Sequence, residues 1–542
     1  MRVRSHGAGL LGISLALALV MGACGGGTTT TDDGSETETT GTGGGGGGGD
    51  SDTLVVGQIE NPPSLDPARV YDKAGSDVLF NTTNRLVEFA PGASDVGPGL
   101  ATEWEISDDG LTYTFTLREG VKFHDGSDFD SEDVKYSLER SLAINHPDGA
   151  SFLLAAIEKV ETPDPQTVTI TIAEPNVTFL SRLNYTVASI IPSDSDVYKV
   201  PDAPLEGAEA GAPPEAADAD KFLTNTEIVG TGPYKLVEFK PGESLTYERN
   251  EDYWGDPPAI KTVTVQFYET APQMKNALEA GEIDLNLNEM GPAERASLEQ
   301  GGEVTVTKGA GGRIRYIVLD TTQAPFDDPK VRRAMSAAID RQRIIDEVFE
   351  GAGSPLFSMI PTSFDSYKDY ISEVDDKLDA PVDITLWFPL NKYGDTEADV
   401  AETIKRSLEE SGQFKVTLQS SDYAAEYSKN LNNHTYPAYL LGWYPDYVDP
   451  DDYIEPFYHS KKGFILYYAN PKMDRLITQE QAETDLTKRA AIFDQIQQLA
   501  AEDMPFIPLY EEGTNVYHSP DVKGVETTLD ASQQFRYFVL SK

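Results

Sequence analysis

The stretch WEISDDGLTYTFTLREGVKFHDG, residues 104–126, leaves the backbone few choices. Tyr113, Phe115 and Leu117 alternate with Thr112, Thr114 and Thr116. A period of two sends successive side chains to opposite faces, so this run is a strand with one buried face. Asp109-Gly110 before it and Glu119-Gly120 after it are turn dipeptides, which predicts a meander continuing into Val121 and Phe123. The period then changes. Val134, Leu138 and Leu142 fall on one face of a helix that Asp130 or Ser131 can cap, with Glu132 and Asp133 in its positive first turn. Similar switches occur along the rest of the chain. LVVGQI from Leu54 is a short strand stopped by the prolines of PPSLDP, and TVTITI (167–172) and TVTVQF (262–267) alternate as strands. Met274, Ala277 and Leu278 mark a short helix ended by Gly281. Asp327-Asp328-Pro329 starts a helix buried through Val331, Ala334, Met335, Ala338 and Ile339, and Asp340 restarts helix before Ile344 and Ile345. Strands and helices intermixed in this way predict an α/β body with mixed sheets. Residues 201–220, PDAPLEGAEAGAPPEAADAD, carry no periodicity and read as an exposed insertion loop.

The chain has 542 residues and a single cysteine, Cys24. Two to four compact units fit this length, and no intramolecular disulfide can hold them together. Arg2, Arg4 and His6, the apolar run from Ala8 to Met21, and the small pair Gly22-Ala23 form a secretory signal over residues 1–23. That run is shorter than the ~20 residues a membrane-spanning helix needs, and no later segment reaches that length without charges. Small residues directly before Cys24 resemble the lipobox of bacterial lipoproteins, with Met21 where Leu is usual. The resemblance implies lipid on the Cys24 thiol and a protein held at the outer face of a membrane, where several acyl chains make attachment lasting. From Gly25 to Asp50 every residue is Gly, Thr, Ser, Asp or Glu. Such composition cannot bury enough surface to offset chain entropy, so residues 24–51 are expected to be a flexible tether reaching roughly 25–30 Å.

A net charge of −47, from 43 basic and 90 acidic residues, argues against nucleic acid, whose phosphates require a basic face. It is the charge of a solvated acidic surface. Gly309-Ala310-Gly311 and Gly351-Ala352-Gly353 begin a dinucleotide pattern, but Ile314 and Leu356 stand where the third glycine belongs, and there is no phosphate loop. The six histidines lack metalloprotease spacing, and no Gly-x-Ser-x-Gly elbow occurs. Asp446, Asp449, Asp451, Asp452 and Glu455 lack the glycine and spacing of a calcium loop, so neither metal nor cofactor is expected. The richest chemistry lies in LLGWYPDYVDPDDYIEPFYH (440–459), where Trp443, Tyr444 and Tyr447 surround Asp446 and Asp449. Aromatic walls around carboxylates suit a cationic or peptidic ligand, and suit a sugar or an acid-rich surface loop equally well.

Three runs carry a family resemblance: LATEWEISDDGLTYTFTLREGVKFHDGSDFDSEDVKYSLER (100–140), VGTGPYKLVEFKPGESLTYERNEDYWG (229–255) and FDDPKVRRAMSAAIDRQRIID (326–346). In order and spacing they are similar to the peptide/nickel-binding family of extracytoplasmic solute-binding proteins, which serve ABC importers. The resemblance implies a monomer of two hinged α/β lobes that close over a ligand, with an extra subdomain on the first lobe. The first lobe is expected at 52–310, the second at 311–510, and a return to the first over 511–542. DMPFIPLY (503–510) resembles the family's crossing segment. In peptide-binding members the Asp three residues past the motif Trp takes the ligand's α-ammonium, which maps to Asp446, with Trp443, Tyr444, Tyr447 and Asp449 around it. PARVYDKAG (67–75) resembles the ligand-facing turn, which nominates Tyr71 and Asp72. Dipeptide-binding relatives place an Arg for the ligand carboxylate after the strand matching ITLWFPLN (384–391), but here Lys392-Tyr393-Gly394 follows. The function implied is capture of an oligopeptide, without catalysis, for delivery to the permease subunits of an ABC importer. Oligosaccharides and metal chelates are the alternative ligands, and a carboxylate-dependent exported hydrolase is the alternative class.

Overall fold

The computed structural model describes residues 51–542 apart from 60, 94, 200–225, 288–289, 310, 395, 432, 464–466 and 530–533. The expected signal and lipid anchor at Cys24, the expected tether and the expected insertion loop at 201–220 therefore lie outside the described residues. Residues 50–542 form one compact unit.

The alternating run forms the strand predicted from it. Thr112–Leu117 buries Tyr113, Phe115 and Leu117 and pairs antiparallel with Ala101–Ile106 across the Asp109-Gly110 turn. Burying each such large apolar side chain contributes ~1.5–3 kcal/mol. The meander stops there. Val121 and Phe123 are buried, but Phe123 N–H donates to the Ser127 carbonyl in a tight loop, and the third strand of the sheet is Thr167–Ile172, followed by Ile157–Asp164. The helix Ser131–Ile144 starts at Asp130, whose carboxylate accepts from Glu132 N–H while Asp133 accepts from Asp130 N–H. This reciprocal cap answers two donors that a helix start leaves open.

A seven-stranded sheet runs in the order Thr305–Lys308, Asn515–His518, Leu285–Asn286, Thr53–Gln58, Thr262–Phe267, Ser244–Arg249 and Tyr234–Lys240. Thr53–Gln58 is parallel to Thr262–Phe267, whereas the neighbours of Asn515–His518 are antiparallel to it. A six-stranded sheet runs Ser354–Pro355, Phe506–Glu512, Arg313–Leu319, Ala438–Trp443, Val382–Leu390 and Phe414–Asp422. Arg313–Leu319 is buried along its whole length because both faces of this sheet are covered. Ile317 and Leu319 join a core with Leu386, Val400 and Ile404, while Ile314, Tyr316 and Val318 join another with Tyr439, Trp443 and Phe457. Asp328 caps Pro329–Ala338 and Asp340 caps Arg341–Val348, as their spacing predicts.

The chain leaves the seven-stranded sheet after Lys308 and returns to it after Glu512, and beside these points Gly309 N–H donates to the Thr514 carbonyl at 2.7 Å. Gly312 holds φ 136°, a region that favours glycine. DMPFIPLY is not the passage. Phe506–Glu512 lies wholly within the six-stranded sheet, and Pro508 is tolerated there because the register shifts beside it, between Arg315 and Tyr316. Among the described residues no helix is long and apolar enough to cross a membrane.

Candidate functional site

Ala438–Trp443, an interior strand of the six-stranded sheet, is buried at every position and ends at Trp443. Beyond it the backbone loops out and returns in the turn Pro450–Tyr453, which Asp449 caps by accepting from Asp451 N–H at 2.8 Å. Asp452 ties the loop shut. Its Oδ2 accepts from the Trp443 indole N–H and from Asp446 N–H, both at 3.1 Å, so the place of Asp446 is set by a side chain six residues on. Asp452 Oδ1 is buried and has no hydrogen-bond partner among the described residues.

Asp446 meets a residue 375 positions earlier. The Tyr71 hydroxyl donates to Asp446 Oδ2 at 3.0 Å, and the Tyr71 ring is held edge-on by Phe152 and Tyr185 at centroid distances of 5.5 and 5.9 Å. Burial pushes the Asp446 carboxyl up to about 7, and the Tyr71 hydrogen bond and Arg182 pull it back only in part. The Asp452 carboxyl is held well above the ordinary range by burial and by the charge of Asp446 beside it. Two buried carboxylates therefore adjoin each other with little cationic compensation.

The acids a few residues further on are in the opposite state. Arg182, at the end of the short helix Phe179–Arg182, donates to Asp451 Oδ2 at 2.7 Å and to Glu455 Oε2 at 2.5 Å. Tyr447, packed into the core of the four-stranded sheet, donates its hydroxyl to the same Asp451 oxygen at 3.0 Å and sets its ring 5.1 Å from the Arg182 guanidinium. Burial raises the Asp451 carboxyl, but Arg182 and Arg489 outweigh it and hold the group below the usual carboxylate range. Asp449 gives both oxygens to Arg489, each at 2.7 Å.

Of the other sequence-predicted residues, Tyr444 is 36% exposed with the Arg313 guanidinium 5.6 Å from its ring. Asp72 caps Lys73–Thr82 and accepts from Gly75 N–H at 2.8 Å. Asp446, Trp443, Tyr447 and Tyr71 are thus brought together, whereas Asp449 and Asp72 are engaged in an ion pair and a helix cap. Sequence reasoning missed Arg182, Tyr185 and Asp452 as members of the cluster. Arg182 stands alone in NVTFLSRLNY with no charged neighbour, and its partners lie about 270 residues away. Asp452 carried a signal, an acid directly after Asp451 in a Pro-started turn.

Residues 95–464 match the family model described as bacterial extracellular solute-binding proteins, family 5 Middle. The heme-binding protein A of Haemophilus influenzae is 29% identical over 88% of this chain and 90% of its own length. The di/tripeptide-binding protein 3 of Pseudomonas aeruginosa is 30% identical over 83% of this chain and 87% of its own. Among solved structures, the periplasmic binding protein DppA of Helicobacter pylori in complex with the peptide STSA superposes with a TM-score of 0.76 at 25% identity, covering 90% of this chain and 98% of that one. The fold is the two-lobed α/β fold of periplasmic binding proteins, and the chain belongs to family 5 of the bacterial extracellular solute-binding proteins.

Proposed function

We propose that this protein captures peptides between two closing lobes and presents them, unaltered, to the membrane permease of an ABC importer. The observation that carries the reading is Asp446: a buried carboxylate whose one side-chain hydrogen bond among the described residues is to a neutral tyrosine hydroxyl, backed by a second acid with an oxygen that has no partner among them. Such a pair is expensive to bury and is relieved by a cation arriving from the cleft. A peptide's α-ammonium supplies that charge with three donors. Heme, the ligand in one relative's name, brings propionate groups and would meet like charge here.

In this reading Asp446 and Tyr71 hold the amino end, with Trp443, Tyr444 and Tyr447 as walls, and Asp449 and Asp72 act by fixing the loops. The lobes span 52–310 and 311–510, with 511–542 returning to the first, and the hinge lies where Gly309 is bonded to Thr514. Cys24 anchors the body to the outer face of the membrane, where Cys24→Ser should release it into the aqueous phase on detergent partitioning. Unchanged partitioning would sink the anchor.

The site is tested by calorimetry, crossing wild type and Asp446→Asn with the peptide Ser-Thr-Ser-Ala and its amino-acetylated form. Loss of one member of a buried charge pair costs ~2–5 kcal/mol, or roughly 30- to 3000-fold in affinity. The acetylated peptide should bind wild type poorly and be affected far less by the substitution. Additive losses would remove Asp446 from the amine site.

A further inference from the structure

One buried cation of the six-stranded sheet takes no part in the cluster around Asp446. Arg315 lies on Arg313–Leu319, the first strand of this sheet in chain order, and it is 5% exposed. Its partners across the sheet are Gly442 on one side and Tyr510 on the other, and Gly442 stands four residues before Asp446. The guanidinium fills the space above that glycine: a Cβ on Gly442 would come within 2.2 Å of Arg315 Nη1. It lies 3.8 Å from the ring centroid of Tyr393, just past the end of Val382–Leu390. That ring is itself held, since Gly442 N–H donates to the Tyr393 hydroxyl at 3.0 Å.

For a group with five N–H donors, Arg315 is poorly served. Nη1 reaches the Ile314 carbonyl at 3.5 Å, Glu397 Oε1 lies 3.5 Å from Nε, and Nε makes no hydrogen bond among the described residues. Burial pushes the Glu397 carboxyl up to about 7, with Arg315 pulling it back, so the acid that faces Arg315 among the described residues is only partly ionised at neutral pH. A buried guanidinium with unused donors carries a large desolvation cost, and a planar carboxylate is the group whose geometry matches its fork. The strand Ala438–Trp443 leads from Gly442, beneath this guanidinium, into the Asp446 loop, so the buried cation and the buried anion stand at the same end of the sheet.

We propose that Arg315, seated on Tyr393, is the anion subsite of the cleft and takes the free terminal carboxylate of a short peptide whose amino end is held by Asp446. The proposal rests on the peptide reading above and narrows it: a ligand fixed at both ends has a limited length, whereas one fixed only at its amino end does not. The loop 392–394 carries no Arg because a neighbouring strand supplies the guanidinium, and the loop supplies the aromatic seat.

Calorimetry with the dipeptide Met-Leu, the tetrapeptide Ser-Thr-Ser-Ala and the carboxamide of each tests this, since neither peptide has an acidic side chain. For the better-binding length, amidation should weaken binding to wild type by roughly 10- to 100-fold, the worth of one charge-assisted pair. Arg315→Gln should lose as much for the free acid and become indifferent to amidation. Arg315→Lys, which keeps the charge without the fork, should fall between them and guards against a variant that fails to fold. Amides that bind wild type within twofold of the acids, or losses from Arg315→Gln and amidation that simply add, overturn the proposal while leaving the amine site intact. Binding of no peptide by the wild type overturns both.

Discussion

Asp446 and Asp451 stand in one loop, both are at most 6% exposed, and they are in opposite electrical states. Asp451 is met by Arg182, by the Tyr447 hydroxyl and by the Gln481 amide, and is held as a carboxylate. Asp446 has the Tyr71 hydroxyl, and burial holds its proton on to about 7. The difference is one of partner supply. Where the protein closes an acid with its own cation, the contact is structural. Where it leaves an acid in the dry with only a hydroxyl, the acid stays largely uncompensated, and in the function proposed above the ligand brings the missing charge.

The most severe way to break this comparison is to take the cation from the compensated region. Arg182→Met would leave Asp451 and Glu455 buried and unpaired, at ~3–5 kcal/mol. Arg182 ends the short helix Phe179–Arg182 and its partners belong to the 440–459 loop, so under the proposed closing of two lobes the cost falls on the closed arrangement. Small-angle scattering should show a variant that stays extended at peptide concentrations that contract the wild type. Its affinity should fall for free and acetylated peptides alike. A loss confined to free peptides would put Arg182 in the ligand site instead.

Next in size, Asp446→Asn should leave the unliganded protein as stable as wild type or more so, because it removes a buried charge that Tyr71 and Arg182 offset only in part. Thermal melts without peptide read this directly. A lower melting temperature than wild type at pH 8 would mean that Asp446 is compensated within the protein after all.

The smallest effect, and the one that sharpens the comparison most, is with pH. The folded pKa of Asp446 is raised above the ordinary carboxylate value, so its unfavourable contribution is nil below about 4, grows as pH rises, and levels off near 7. An ammonium needs the carboxylate. Binding at pH 6 should therefore release about one proton and weaken by up to about tenfold for each further pH unit downward, whereas binding at pH 8 should release none. Calorimetry in buffers of different ionisation enthalpy measures that proton. Asp451, with its pKa lowered, contributes stability that is lost only in acid, so it should give no signal between pH 6 and 8. Proton uptake, or a flat profile, would contradict the assignment of the raised group.

Much of the architecture was legible because the signals are local. The alternation in 112–117 requires a one-sided strand, and Asp130, Asp328 and Asp340 cap the helices their spacing predicts. Local signals also misled. Val121 and Phe123 carry strand chemistry, yet the place beside Thr112–Leu117 went to Thr167–Ile172, which a local pattern cannot rank against a nearer segment. The prolines of DMPFIPLY suggested a passage between lobes, but a proline beside a register shift fits within a sheet.

By itself the sequence determined the kind of fold, the acidic character of the chain and the presence of acids and aromatics in 440–459, because side-chain periodicity and composition act over a few residues. Only the tertiary structure decided which of those acids is paired. Ionisation in a dry interior depends on a partner within a few ångströms, and those partners, Arg182 for Asp451 and Tyr71 for Asp446, come from roughly 270 and 375 residues away in the chain.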